Sequence, residues 1–115
     1  MENYLNILIE RAEIVKKWEE YATKIAEVVK IVLPDSHVYV FGSVIRGEAT
    51  GGSDVDILIV SKHVPKNGIQ RAEVKVKIEK LAGLPLYHPF EFHLVNEEEA
   101  EWYFKRVKEL KEITS

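Results

Sequence analysis

An apolar stripe at three- and four-residue steps runs through the first third of the chain and predicts one long helix over residues 4–33. The stripe consists of Leu8, Ala12, Val15, Ala22, Ile25, Ala26, Val29 and Leu33. A second stripe beside it carries Trp18 and Tyr21, which makes the apolar face wider than one small sheet requires. We therefore expect Trp18 either to fill a satellite of the core or to belong to a partner-binding surface. Pro34 ends the helix.

Three short segments have the β-branched and aromatic composition of strands, at residues 37–41, 54–60 and 89–95. The segment 54–60 begins as an alternation and then becomes solidly apolar, which is typical of a strand that is largely buried. Between the first two strands, residues 42–53 contain four of the six glycines. This stretch is expected to form a connection whose middle contains a short helical turn.

Residues 69–81 fit both a strand and a helix, because their apolar positions alternate in one alignment and share a helical face in another. The length of the segment and the stop at Gly83 and Pro85 favour the helix, and the strand stays as the alternative. A closing helix is expected over residues 97–113, since three glutamates stand at its positive N-terminal end.

Composition narrows the class of protein. A chain of 115 residues with 46% hydrophobic and 30% charged residues suits one domain over residues 1–115. The absence of cysteine excludes disulfide scaffolds, zinc–thiolate sites, iron–sulfur clusters and thiol nucleophiles. No uncharged stretch approaches the ~20 apolar residues of a membrane span, and the acidic start does not suit a secretory signal, so we expect a cytoplasmic protein. A net charge of −3 argues against general nucleic-acid binding.

The pattern with the strongest chemical content is Gly42-Ser43, ten further residues, and then Asp54-Val55-Asp56 at the start of a strand. Alternation sends Asp54 and Asp56 to the same face, about 7 Å apart, where two carboxylates can share a hard divalent cation. Gly42 allows close approach of a ligand, and a helix that starts at Ser43 would offer amides and a hydroxyl to phosphate oxygens. The pattern predicts transfer chemistry at the phosphates of a nucleotide. A solvated strand start and an ordinary turn are the alternatives.

The third strand supplies another acid. Glu91 and His93 share one of its faces, while Phe90 and Phe92 share the other. Glu91 would complete a metal site, and the alternative is an ion pair with a lysine at a sheet edge. The four histidines lack the i, i+4 spacing of a zinc helix, so we expect them to be structural, with His93 bordering the site.

These segments resemble a known family. Residues 40–43, VFGS, and residues 53–60, SDVDILIV, are similar to the motif of the polymerase-beta-like nucleotidyltransferase superfamily. More closely, they resemble its minimal members, the small domains that are partnered with HEPN proteins in toxin–antitoxin pairs. The resemblance covers residues 38–102. It implies an α/β (α+β) fold in which a small mixed, mostly antiparallel sheet of three to four strands is backed by helices.

The resemblance also implies a role for each motif residue. The implied catalytic residues, which would also bind two Mg²⁺ ions, are Asp54, Asp56 and Glu91. The implied nucleotide-binding residues are Gly42, Ser43, Arg46 and Ser53. Val44 departs from the family pattern, because an arginine is frequent at its position.

The function that follows is Mg²⁺-dependent transfer of a nucleoside monophosphate, AMP from ATP, to a hydroxyl acceptor. By resemblance, the acceptor is a tyrosine of a HEPN toxin, which would make this chain an antitoxin that modifies its partner. One alternative is an antitoxin without catalysis that neutralises its partner by direct contact. Another is a transferase that acts on a small molecule such as an aminoglycoside. A homo-oligomer is also left open.

Overall fold

Two helices occupy the region that was expected to form one. The computed structural model describes residues 3–114 and contains α1 (Tyr4–Lys16) and α2 (Trp18–Val32). Lys17 separates them with φ −102° and ψ 27°, while its N–H still donates to the carbonyl of Glu13. The prediction of a single helix was wrong because the break contains neither proline nor glycine and the apolar stripe continues across it.

The remaining helices and strands agree with those predicted from the sequence, except at the C-terminal end of the closing helix. In chain order they are β1 (His37–Phe41), α3 (Ser43–Arg46), β2 (Val55–Val60), α4 (Gly68–Leu81), β3 (Phe90–Val95), α5 (Glu97–Arg106) and β4 (Lys111–Ile113). The helix over residues 69–81 is confirmed. Asn67 begins it by accepting the N–H groups of Ile69 and Gln70.

The closing helix is shorter than expected. A capping box between Asn96 and Glu99 begins α5, and Val107 ends it in an extended conformation, with φ −92° and ψ 117°. Lys111–Ile113 then pairs with the edge of β1 as β4. The helix expected over residues 97–113 was wrong at its C-terminal end because pairing with a sheet edge overrides local periodicity there.

The four strands form one sheet in the order β3-β2-β1-β4. Only β2 and β3 are parallel, and both neighbours of β1 are antiparallel to it. The expected fold class, a mixed and mostly antiparallel sheet backed by helices, is confirmed. The register pairs Phe41 with Asp56 and Asp56 with Glu91, so the end of β1, the start of β2 and the start of β3 meet at one place.

Helices cover both faces of the sheet. On one face, Ile25 of α2 and Ile78 of α4 join the main core with Val40 and Ile57. On the other face, α5 packs Ala100 and Tyr103 against a smaller cluster that includes Leu58, Val95 and Phe41. Because side chains alternate along a strand, Asp56 lies on the same face as Leu58, under α5.

Asp35 lies just before β1, at the end of the sheet opposite to Gly42. It accepts hydrogen bonds from the hydroxyl of Ser61 at 2.6 Å, the N–H of Lys62 at 2.8 Å and the ring of His63 at 3.1 Å. Together these bonds hold the pKa of Asp35 well below its usual range, and the bond from Ser61 makes the largest contribution.

We expect Asp35→Asn to lower the free energy of unfolding at neutral pH by about 1–2 kcal/mol, because bonds to a charged acceptor are lost. Since the folded-state pKa of Asp35 is depressed, its contribution is present above pH ~4 and is lost as the pH falls towards the folded-state value. Urea unfolding between pH 6 and pH 2 should therefore show a smaller loss of stability in Asp35→Asn than in the wild type. Glu101→Gln, an exposed change on α5, should keep the wild-type pH dependence. Equal pH dependence in wild type and Asp35→Asn would contradict this account.

Candidate active site

The backbone turns sharply where β1 ends. Gly42 has φ +91° and ψ −155°, a conformation that residues with a side chain rarely adopt. The chain then enters α3, in which the N–H groups of Ile45 and Arg46 donate to the carbonyl of Gly42 at 3.1 and 3.2 Å. Gly47 ends this short helix in the left-handed conformation. Ser43 is thereby held at the start of α3.

Gly42 also lies directly against Asp56. A Cβ atom at position 42 would come within 2.5 Å of Oδ2 of Asp56. Glycine is therefore needed both for the backbone conformation and for the place of this carboxylate. The spacing of Gly42 and Asp56 in the sequence corresponds to a physical contact across β1 and β2.

The three acids lie at the same end of the sheet but are not equally close. A carboxylate oxygen of Asp56, one of Glu91 and a ring nitrogen of His93 all lie within 4.8 Å of one another. Asp54 stands one residue before β2 and is outside this group, with 61% of its side chain exposed. Hard oxygen donors and one imidazole are a donor set that divalent cations accept.

Two residues that approach the acids had weak or absent signals in the sequence. The guanidinium of Arg11 in α1 binds Oδ1 of Asp54 at 2.8 Å and the carbonyl of Gly51 at 3.4 Å. A Cβ atom on Gly51 would lie 2.9 Å from that of Ala12, which shows how closely α1 packs on this loop. Arg11 is 43 residues from Asp54 in the chain, so only the fold reveals the pair. The expectation that His93 borders the site agrees with its position beside Asp56.

A cavity of about 610 Å³ opens beside Asp54 and Asp56, while Glu91 and His93 are not among the residues that line it. From the sequence-predicted set, its lining contains Gly42, Ser43, Arg46, Ser53, Asp54 and Asp56. The lining also contains Arg106, the last residue of α5, and Lys108 and Glu109, from the segment after it that was expected to be helical. A volume of this size is within the range of small-molecule sites. Carboxylates and cations in the lining of one cavity suit a ligand that carries both phosphate and metal.

Two of the predicted nucleotide-binding residues have protein partners of their own. The hydroxyl of Ser53 accepts the N–H of Thr50 at 2.8 Å and so closes the glycine-rich loop. Arg46 pairs with Glu48 at 2.7 Å, with both side chains more than half exposed. An exposed pair of this kind is weak, so the guanidinium of Arg46 can exchange Glu48 for a more highly charged anion.

Three of the four histidines have partners away from the candidate site, as the sequence led us to expect. His37 pairs with Glu112, His63 with Asp35 and His88 with Glu79, all away from Asp56. Only His93, among the histidines of residues 3–114, contacts an acid of the candidate site.

Trp18 and Trp102 differ in how far the fold covers their side chains. Trp18 packs against the main core, and Nζ of Lys111 lies 5.6 Å from the centre of its ring. This contact favours the core interpretation of Trp18. Trp102 on α5 is 53% exposed, and the guanidinium of Arg106 lies 4.8 Å from the centre of its ring.

A sheet of this order, with a Gly-Ser turn facing carboxylates on the neighbouring strands, defines a nucleotidyltransferase. The family model for the nucleotidyltransferase domain matches residues 22–114, and the chain belongs to that family. It is therefore an enzyme of the transferase class. Helix α1, which delivers Arg11, precedes the matched segment.

Two crystal structures resemble this fold. One is a Sulfolobus solfataricus protein provisionally assigned as a nucleotidyltransferase, 26% identical, with a TM-score of 0.62 over 92% of this chain and 85% of that one. The other, with the same provisional assignment, is 28% identical, with a TM-score of 0.61 over 76% of this chain and 91% of that one. No curated protein matches the chain significantly. Within residues 3–114, no helix combines the length and the apolar character that crossing a membrane requires.

Proposed function

We propose that this protein transfers a nucleoside monophosphate from a nucleoside triphosphate, ATP, to a hydroxyl acceptor. The observation that carries this proposal is the shared cavity in which Asp54 and Asp56 face Gly42 and Ser43. Carboxylates hold divalent cations, and a hydroxyl beside a glycine turn holds phosphate oxygens. The two together suit phosphoryl chemistry.

The donor set fits Mg²⁺. Asp54, Asp56 and Glu91 would hold two ions through carboxylate oxygens, which are the ligands that Mg²⁺ prefers. The carboxylate of Asp56 lies where a Cβ atom at position 42 would clash with it, so the glycine lets this acid reach the cavity. The bound metal would neutralise charge on the phosphates and orient them.

The residues of the chain then have distinct tasks. Ser43 and the backbone beside Gly42 hold the terminal phosphates, and Arg46, Arg106 and Lys108 supply positive charge around them. The acceptor oxygen forms a bond to the α-phosphorus, the bond to the β-phosphate oxygen breaks, and pyrophosphate leaves. Glu91, more than half exposed beside Asp56, can accept the proton of the acceptor hydroxyl.

We propose a tyrosine of a HEPN-type partner as the acceptor. The support is the sequence resemblance together with the exposed aromatic residues Trp102 and Phe104 on α5, the first of which stacks with Arg106 at the cavity wall. Exposed aromatic side chains are frequent anchors of protein interfaces. In this setting the chain is a cytoplasmic antitoxin.

Intact-mass spectrometry of a HEPN-type protein encoded beside this chain tests the acceptor. Co-expression with the wild type should add the mass of one nucleotide to that protein, on a tyrosine. Co-expression with Asp54→Asn/Asp56→Asn should leave its mass unchanged, because the metal site is lost. A partner that stays unmodified with the wild type, yet is bound and neutralised, would favour the binding antitoxin instead.

A further inference from the structure

The ring of His93 stands between Asp56 and Tyr103. Its Nε2 lies 3.1 Å from Oδ1 of Asp56, and its Nδ1 lies 3.3 Å from the hydroxyl of Tyr103. The three side chains thus form a hydrogen-bonded chain that runs from α5, through β3, to the acid in β2. All three are partly buried on the α5 face of the sheet.

The chemistry of the carboxylate sets the direction of the first hydrogen bond. An ionised carboxylate only accepts, so Nε2 of His93 carries a hydrogen and donates it to Asp56. The second hydrogen bond joins Nδ1 to the hydroxyl of Tyr103, and either atom can be its donor. Burial, with Glu91 nearby, raises the pKa of Tyr103, so this hydroxyl keeps its proton.

The ring of His93 is also held by packing. The ring of Phe41 lies 5.2 Å from it and that of Tyr103 lies 5.7 Å from it, centre to centre. Only 22% of the His93 side chain is exposed. An imidazole fixed on two sides and bonded at both nitrogens has one orientation, and it can impose that orientation on the carboxylate it touches.

Asp56 is consequently held through both of its oxygens. Oδ1 takes the hydrogen from His93, while Oδ2 lies against the backbone of Gly42. The first oxygen is fixed from the α5 side, and the second lies beside Gly42, where both residues line the cavity. An aspartate without such a support samples other rotamers and loses affinity for a cation.

We infer that His93 and Tyr103 are positioning residues, which orient the carboxylate of Asp56 for a divalent cation through the chain Tyr103–His93–Asp56. The inference rests on the proposed function, since it presupposes that Asp56 binds the cation. His93 acts through Asp56 and is not itself a ligand. The orienting bond uses the same Nε2 that a direct ligand would need, so the two roles exclude each other.

Titration of the full chain with Mn²⁺, followed by the electron paramagnetic resonance signal of the free ion, tests this inference. His93→Leu should weaken Mn²⁺ binding about 10- to 100-fold, the usual cost of losing an outer partner of a ligand. His93→Gln should recover most of the affinity, because its amide can donate to Asp56. Tyr103→Phe should cost about fivefold, the effect of one neutral hydrogen bond. His63→Leu, a matched change at the far end of the sheet, should bind as the wild type does.

The possible results distinguish a failure of this inference from a failure of the proposed function. Unchanged Mn²⁺ affinity in His93→Leu, with affinity lost in Asp56→Asn, overturns the inference and leaves the proposed function intact. Unchanged affinity in Asp56→Asn overturns both. Nitrogen couplings from imidazole on the bound Mn²⁺, with no recovery in His93→Gln, identify His93 as a direct ligand and also overturn the inference. A lower melting temperature without a change in affinity would assign His93 a structural role only.

Discussion

Replacing Asp54 and Asp56 together with asparagine is expected to lower nucleotide transfer by at least about a thousandfold. The reason is that divalent cations supply several kcal/mol of transition-state stabilisation in phosphoryl transfer, and the two carboxylates are the proposed ligands. Mn²⁺ affinity should fall by more than about a hundredfold, which exceeds the usual cost of losing an outer partner. Initial rates with saturating ATP and a titration with Mn²⁺ measure the two effects.

Asp35→Asn is the matched control, because it makes the same chemical change at the opposite end of the sheet. It should retain the wild-type affinity for Mn²⁺ although it unfolds more easily. The double variant should stay folded but unfold somewhat more easily than the wild type, because Arg11 and His93 lose hydrogen bonds to charged acceptors. If the double variant retained both transfer and Mn²⁺ binding, these acids would not form the active site.

The replacement Gly42→Ala should lower transfer by about a hundredfold while the protein stays folded. The added Cβ atom would lie 2.5 Å from Oδ2 of Asp56, which is the end of a side chain and therefore moves before the backbone does. A displacement of about 1 Å in a catalytic group costs roughly this factor. The backbone conformation of Gly42, with φ +91° and ψ −155°, is essentially restricted to glycine, so alanine adds about 1–3 kcal/mol of strain to the folded state. Steady-state rates and urea unfolding of the same preparation separate the two effects.

The variant Gly47→Ala is the control for backbone strain, because it adds a side chain at a positive φ without a clash with Asp56. Gly47 also has a positive φ, +72°, but a Cβ atom there meets nothing within 4 Å in the described part of the chain. Both variants should lose stability, Gly42→Ala the more of the two because its ψ of −155° lies outside the left-handed helical region, and only Gly42→Ala should lose activity. Equal activity losses in the two variants would show that backbone strain, rather than displacement of Asp56, is responsible.

The sequence predicted the parts of the fold that depend on local pattern. The run Asp54–Val60 anticipated β2 because a strand buried on both faces must be apolar throughout. Helix α4 was recognised from its length and its stop. The juxtaposition of Gly42 with Asp56 was anticipated only as a motif, and its physical basis is the register of β1 against β2.

Other features depend on contacts that no local pattern contains. The break at Lys17 lies in an uninterrupted apolar stripe, so periodicity passes over it. Strand β4 has three residues and exists because the edge of β1 is available to pair with it. The pairing of Arg11 with Asp54 and that of His93 with Asp56 span 43 and 37 residues, and both require the folded chain.

The sequence predicted which residues belong to the candidate site better than it predicted how they are arranged. Glu91 was expected to join the two aspartates, and the register of β3 against β2 puts it beside Asp56. Asp54, although it lines the same cavity, is tied to Arg11 and stands outside the tight group. The roles assigned to these residues stay predictions.

The most direct test of the central claim uses two forms of labelled ATP. The purified protein, its acceptor and Mg²⁺ are incubated with ATP that carries ³²P at either the α- or the γ-phosphate. We predict that the α-label becomes covalently attached to the acceptor and that the γ-label is released as pyrophosphate. Attachment of the γ-label would identify a kinase reaction and would contradict nucleotide transfer, as would the absence of label from the acceptor in both incubations.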